Sequence, residues 1–359
     1  MFPDRIDLYR KIEEITDAAV IFFFTSDRDC FETEISDDAA DIFIGQLEDI
    51  GFVPRLALVL HTDGGAVSSA WNIATLLREH CNELSVIVPR KALSAGTLIC
   101  LAADTVFMKG GSALGPIDPA ISVELIRGDL DGKSSGPVDV RIESVFGFLS
   151  LATEVLAIGD EAALASVLRT AAGDYRAHDL GEAFRMRPHI RMLAERLLRD
   201  RGCRGEQIDK IVDFLSRGSG SRDFTIGLKF AQSLGLPAKM MPRDLSSAVS
   251  TFFRDIRTEM GFFGRQIELR PEELDFRVRD GVEESAVKSV LIESFRGGSD
   301  RFVMVKAISS GKSGEVVADG IFGPDGESGL DVGDAEDGLD GEDGETAVRK
   351  GLWEHEKTQ

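Results

Sequence analysis

Two short apolar runs, each delivered into a tight turn and then into a helical pattern, restrict the fold of this chain more than any other feature. Leu56-Ala57-Leu58-Val59-Leu60 leads into His61-Thr62-Asp63-Gly64-Gly65, and Leu84-Ser85-Val86-Ile87-Val88 leads towards Leu93-Ser94-Ala95-Gly96-Thr97. Apolar runs of this length, broken only by Ser85, read as strands buried on both faces. Helical patterns follow at Ala66 to His80 and Ala95 to Ala103, so the segment is built from parallel strands joined by crossover helices. A glycine pair ending a strand lets the backbone turn sharply and frees its N–H groups to face a ligand. A serine on the neighbouring strand-to-helix turn can set its hydroxyl beside those N–H groups. That pairing, a nucleophile next to an oxyanion hole, is the chemistry the sequence suggests.

The same alternation extends in both directions. Asp4 to Ile15 reads as an amphipathic helix, Val20 to Phe24 as a core strand, and Ser36 to Ile50 as a helix with Ser36 at its N-cap and Gly51 closing it. Thr105 to Met108 is a further strand. Beyond Asp118-Pro119 the pattern changes to a polar loop (Gly128 to Pro137). Helices are expected over Arg141–Ala157, Asp160–Ala172, Arg187–Arg201, Gln207–Leu215 and Asp223–Leu234, with a basic loop Ser216–Arg222. Ser289–Phe295 and Arg301–Ile308 form a predicted hairpin. The expected organisation is an α/β domain over 1–240 with a helical insertion at about 120–220, an extension of helix plus hairpin over 241–308, and a disordered tail over 309–359. The tail is rich in Gly, Asp and Glu and has too few large apolar residues to offset its ordering entropy.

Composition narrows the function. A formal net charge of −21 over 359 residues argues against a nucleic-acid partner, which would call for a basic face. The four cysteines show no CxxC pairing and read as buried free thiols of a reducing compartment. Met1 to Asp17 lacks a signal-peptide core, and the apolar run Ala18 to Phe24 is too short to span a bilayer. A cytoplasmic protein without a membrane span is expected. The acidic tail lacks the spacing of an EF-hand or β-roll calcium loop, and no GxGxxG follows a strand, so neither a metal nor a cofactor is expected.

The blocks His61–Gly65, Lys91 to Asp104 (KALSAGTLICLAAD) and Ser112 to Pro119 (SALGPIDP), in that order and spacing, resemble the ClpP/crotonase-like superfamily. Within it they are most similar to the serine dehydrogenase proteinase family, relatives of signal peptide peptidase SppA. A weaker likeness continues through Leu180-Gly181-Glu182 and Arg185 to Phe224-Thr225-Ile226 and Ser233–Leu236, so that Val20 to Pro237 is covered. The resemblance implies a twisted, mostly parallel sheet wrapped by helices, assembly into a homo-oligomer, and an ATP-independent serine peptidase acting on polypeptide. It implies Ser94 as nucleophile, with N–H groups of Gly64 or Gly65 and of Ala95 forming the oxyanion hole.

A serine nucleophile needs a group to take its proton. Lys91, three residues before Ser94, Asp118 in the GPID block, and His61 beside the glycine turn are the candidates. His178 sits in an Asp-rich stretch away from the blocks. Where family members tend to carry a histidine before the aromatic-x-Ile segment, this chain has Arg222. Two alternatives stand beside the peptidase: a catalytically inactive oligomeric scaffold or peptide binder, and a crotonase-type enzyme of acyl thioesters. The second would need paired glutamates after the glycine turn, and none is evident.

Overall fold

The computed structural model describes residues 5–27, 32–118, 120–123, 138–141, 147–148, 150–174, 177–218, 221, 224–260, 277–279, 282–309 and 347–356. Helix α1 (Ile6–Thr16) leads into β1 (Ala19–Thr25), α2 (Asp37–Ile50), β2 (Val53–His61), α3 (Val67–Glu79) and β3 (Cys81–Val88). Next come α4 (Ala95–Leu101) and β4 (Thr105–Met108). Helices α5 (Glu161–Asp174), α6 (Ala177–Asp200), α7 (Glu206–Asp213) and α8 (Leu228–Leu234) precede β5 (Ala238–Met240) and α9 (Arg243–Met260). The described chain ends with β6 (Val282–Ser294), β7 (Gly298–Ser309) and β8 (Ala347–Glu356).

The central sheet runs β8-β7-β6-β1-β2-β3-β4-β5, with the short strand Arg277–Arg279 also paired to β6. The five strands from β1 to β5 are parallel, and the C-terminal strands add to the free edge of β1 antiparallel. Alternation along the strands sorts side chains to two faces. Ile21, Phe23, Leu56, Leu58, Leu60, Val86 and Val88 face a core closed by α2, α3, α4 and the helices α6 to α8. Val20, Phe22, Phe24, Ala57, Val59 and Ile87 face a second core closed by α1 and α9. Covering on both sides is why these strands carry almost no polar residues.

The predicted α/β architecture with a parallel central sheet wrapped by helices is the one observed, and several details differ. Arg141 ends a short strand, Val138–Arg141, paired with Ala120–Val123, where a helix was expected to begin. The β-branched alternation of Val138 and Val140 outweighs the helical pattern that follows. Helix α6 starts ten residues before the expected Arg187 and runs through Pro188, which takes away one hydrogen bond of a long helix. The expected helix from Asp223 begins only at Leu228, because Ile226 is held in an antiparallel bridge to Leu114. The hairpin is longer than its apolar runs, with a bulge between Lys288 and Val290.

The tail expectation needs a correction at its end. Ala347–Glu356 is a strand that pairs with β7, and the Trp353 indole N–H donates to Asp38 Oδ2 of α2 at 3.1 Å. The unpaired backbone of β7 supplies the partners that the tail's own composition cannot. Residues 310–346 of the tail, the loop Gly128–Pro137 and Arg222 lie outside the described residues.

One buried polar knot fastens the second face. Arg5 is 2% exposed and donates to Glu293 Oε1 of β6 at 2.7 Å, to Asp255 Oδ2 of α9 at 3.0 Å, and to Glu259. Tyr9 also donates to Glu293, as does Ser299 at 2.6 Å. Removing the guanidinium would leave fully buried Glu293 with only the more distant Arg301, 3.7 Å away, to offset its charge. Arg5→Met is therefore expected to destabilise the fold by about 3–5 kcal/mol, read as a lowered urea midpoint.

Candidate active site

Strand β2 ends at His61, and the next four residues make the glycine turn. Thr62 forms a parallel bridge with Ala92: its N–H donates to Lys91 O at 3.1 Å, and Leu93 N–H donates to Thr62 O at 3.1 Å. The turn and the Ser94 loop are thereby stitched together two residues before each does its work. Helix α4 packs so closely on this strand end that a Cβ at Gly96 would sit 2.5 Å from Thr62 Cγ2.

Gly64 and Gly65 have φ of +128° and +140°, conformations that any other residue would hold only under strain. A Cβ on Gly64 would lie 2.9 Å from Ser94 Cβ, so the turn and the serine are in contact. Gly64 N–H is already committed to Thr62 Oγ1 at 3.1 Å. Gly65 bridges Ile35 through its neighbours, Ile35 N–H donating to Gly64 O and Ala66 N–H donating to Ile35 O, each at 2.8 Å. In such a bridge Gly65's own N–H points the opposite way, and among the described residues it has no partner. Ala95 N–H is likewise uncommitted, as befits the first residue of a helix.

Ser94 lies at φ +47°, ψ −113°, a strained setting for a residue with a side chain and one that costs of order 1–3 kcal/mol. It occupies the N-cap position of α4, yet its hydroxyl makes no capping hydrogen bond. The side chain is half-buried, and its Oγ has no hydrogen-bond partner among the described residues. Strain at a strand-to-helix turn, with the hydroxyl left unengaged, is the geometry that presents a serine outward.

The three base candidates separate. Lys91 is 19% exposed, and its ammonium lies 2.7 Å from Asp63 Oδ2 and 2.7 Å from Asp27 Oδ2. The Lys91 ammonium is thus engaged by two carboxylates rather than by the Ser94 hydroxyl. His61 is fully buried on the face opposite α4, edge-on to Phe253 at 5.0 Å between ring centroids. Strand alternation sends Thr62 to the α4 side and His61 away from it, towards α9. Asp118 is half-buried at the end of the GPID block. That block is tied to the start of α4 by Gly115 N–H donating to Thr97 Oγ1 at 3.0 Å, and a Cβ on Gly115 would lie 3.1 Å from Leu93 Cδ2. Ile117 N–H donates to Leu215 O at 2.8 Å, fixing the block against the helical region. His178 is part of α6, far along the chain from these contacts.

Sequence reasoning missed Thr62, Thr97, Asp27 and Asp63. Thr97 accepts from Gly115 while donating to Ala92 O at 2.8 Å, and Thr25 Oγ1 donates to Thr62 Oγ1 at 2.9 Å. Both threonines sit inside the quoted blocks, and Thr62, a hydroxyl two residues before Gly64, is a recognisable turn device. Nothing local marks Asp27.

Electrostatics around the turn are uneven. Burial works against the Asp27 carboxylate, but Lys91 and His61 more than offset it and hold the group well below its ordinary range. His61 Nε2 is 3.8 Å from Asp27 Oδ2. Burial pushes the His61 imidazole below its ordinary value, with Asp27 opposing only in part. An unfolded chain therefore takes up a proton near pH 6.5 that the folded one resists, and stability present above about 6.5 falls as pH drops below it. His61→Gln is expected to flatten the fall in melting temperature between about pH 7 and 5, measured against the native chain. Cys81, Cys100 and Cys203 are free and buried, and burial pushes the Cys81 thiol up to about 11, so it offers no thiolate near neutral pH. Among the described residues no group of three or more His, Cys, Asp or Glu is placed to hold a metal ion, and no helix is long and apolar enough to cross a membrane.

Two proteins of Methanocaldococcus jannaschii, MJ0137 and MJ1495, both uncharacterized, are 50% and 44% identical over 64 residues, 18% of this chain. The match spans 22% of each relative's length. Among solved structures, an asparagine-to-aspartate mutant of ClpP1 from Listeria monocytogenes aligns with 17% identity and a TM-score of 0.32, over 65% of this chain and 98% of its own. Residues 50–126, which hold the glycine turn, Ser94 and Asp118, match the ClpP-like SDH-type serine proteinase family, the family that their motifs resemble.

Proposed function

We propose that this chain is an ATP-independent serine peptidase that cleaves polypeptide through an acyl-enzyme on Ser94. The observation that carries the reading is the strained, uncapped Ser94 in contact with Gly64, beside two uncommitted N–H groups. Attack of Ser94 Oγ on a peptide carbonyl converts it to an alkoxide, which Gly65 and Ala95 N–H would receive as it forms. The dipole of α4 adds positive potential at the same point. In this reading Asp118 takes the Ser94 proton, a carboxylate that must be desolvated to serve. The proposed working form is a cytoplasmic homo-oligomer.

Exposure of the chain to a fluorophosphonate, followed by peptide mass mapping, tests the reading. A single adduct on Ser94 is expected. An adduct elsewhere, or none on folded protein, overturns it. The absence of any hydrogen bond from Ser94 Oγ to a histidine, lysine or carboxylate among the described residues favours one second reading, a peptide-binding scaffold of the same fold. Peptide binding by unlabelled protein would mark that case.

A further inference from the structure

Three separate pieces of backbone converge on one side chain beside the candidate site. Asp27 follows the end of β1, Asp63 precedes the two turn glycines, and Lys91 stands three residues before Ser94. The Lys91 ammonium is 2.7 Å from each carboxylate, with Lys91 19% and Asp27 12% exposed. Backbone pairing between the turn and the Ser94 loop reaches only Thr62 and residues 91–93. Past Thr62 the chain enters Gly64 and Gly65, which the bridge to Ile35 holds on the side away from Ser94, and on the Ser94 side the N–H of Gly65 must keep its aim. Asp63 is the last residue before that stretch, and its carboxylate is anchored across the gap to the Ser94 side.

We propose that Lys91 is a positioning residue, which holds the glycine turn in register with Ser94 by bridging Asp63 and Asp27. The proposal rests on Ser94 being the nucleophile for its catalytic consequence, but not for its structural one. The bridge fixes where the oxyanion donors point before substrate arrives, so that the turn does not reorganise during attack. It also accounts for the persistent charge of half-buried Asp27, which packs near His61 on one side and feels Arg257 of α9 on another.

Two measurements test this independently. Hydrogen exchange of the peptide covering 62–66 is expected to quicken at least about tenfold in Lys91→Met, and to stay near the native rate in Lys91→Arg. Fluorophosphonate labelling of Ser94 is expected to slow by about tenfold or more in Lys91→Met and to recover in Lys91→Arg, since a guanidinium can bridge carboxylates but cannot accept a proton. Asp63→Asn should reproduce the slowing, and adding it to Lys91→Met should cost little more. Unchanged exchange in Lys91→Met overturns the proposal. So does labelling in Lys91→Arg as slow as in Lys91→Met, which would make Lys91 a base. If the native chain does not label, the peptidase reading fails while the exchange data still decide the bridge. Should Lys91→Met not fold, Asp63→Asn, at a half-exposed position, carries the same comparison.

Discussion

Ser94→Ala is expected to abolish fluorophosphonate labelling and to lower peptide hydrolysis on the order of 10⁴–10⁶-fold, the loss seen when a serine nucleophile is removed. The informative companion is stability. A serine that capped α4 would cost about 0.5–2 kcal/mol on truncation to alanine. Ser94 makes no capping bond, so Ser94→Ala should leave the urea midpoint unchanged within about 0.5 kcal/mol. Ser94→Gly should go further and stabilise the fold by about 1 kcal/mol, because glycine relieves the strain at φ +47°. An inactive but more stable Ser94→Gly chain would show that the strain serves function. A destabilised Ser94→Ala chain would return the residue to an ordinary helix cap.

Gly65→Ala carries the second large effect. A Cβ there would stand 2.3 Å from Ile35 N and 2.4 Å from Ile35 O, both backbone atoms in a bridge that cannot yield cheaply. The turn must move, and with it the N–H that the site needs. Loss of one oxyanion donor costs roughly 10²–10³-fold in rate, and that drop is expected in the labelling rate of Gly65→Ala. A fall in melting temperature should accompany it, since the positive φ is strained for any L side chain. Gly110, whose Cβ would meet nothing within 4 Å, supplies the control: Gly110→Ala should label at the native rate. Equal rates for Gly65→Ala and Gly110→Ala would remove the glycine turn from the mechanism.

The strands and helices around the site were legible because their signals are local. Leu56–Leu60 is apolar throughout and Leu84–Val88 is so but for Ser85, and only a strand covered on both faces tolerates that. The glycine pair and the serine turn announced themselves by position, one at a strand end and one at a helix start. Legibility failed where a partner distant in sequence decides the outcome. The strand Ala347–Glu356 exists because β7 offers it an edge, and Ile226 leaves the helical pattern because Leu114 pairs with it.

The base candidates show the same division more sharply. Lys91, His61 and Asp118 each lie within a motif, and their order along the chain does not choose among them. Strand alternation then sends His61 to the face away from α4, and Asp27, dozens of residues earlier, captures the Lys91 ammonium. The amino-acid order alone settled the parallel sheet, the glycine turn and the serine at the head of α4, since each follows from neighbouring residues. Tertiary structure alone decided which N–H groups are uncommitted, which way His61 is turned, and what Lys91 holds. Those depend on hydrogen bonds and ion pairs between segments that only the folded sheet brings together.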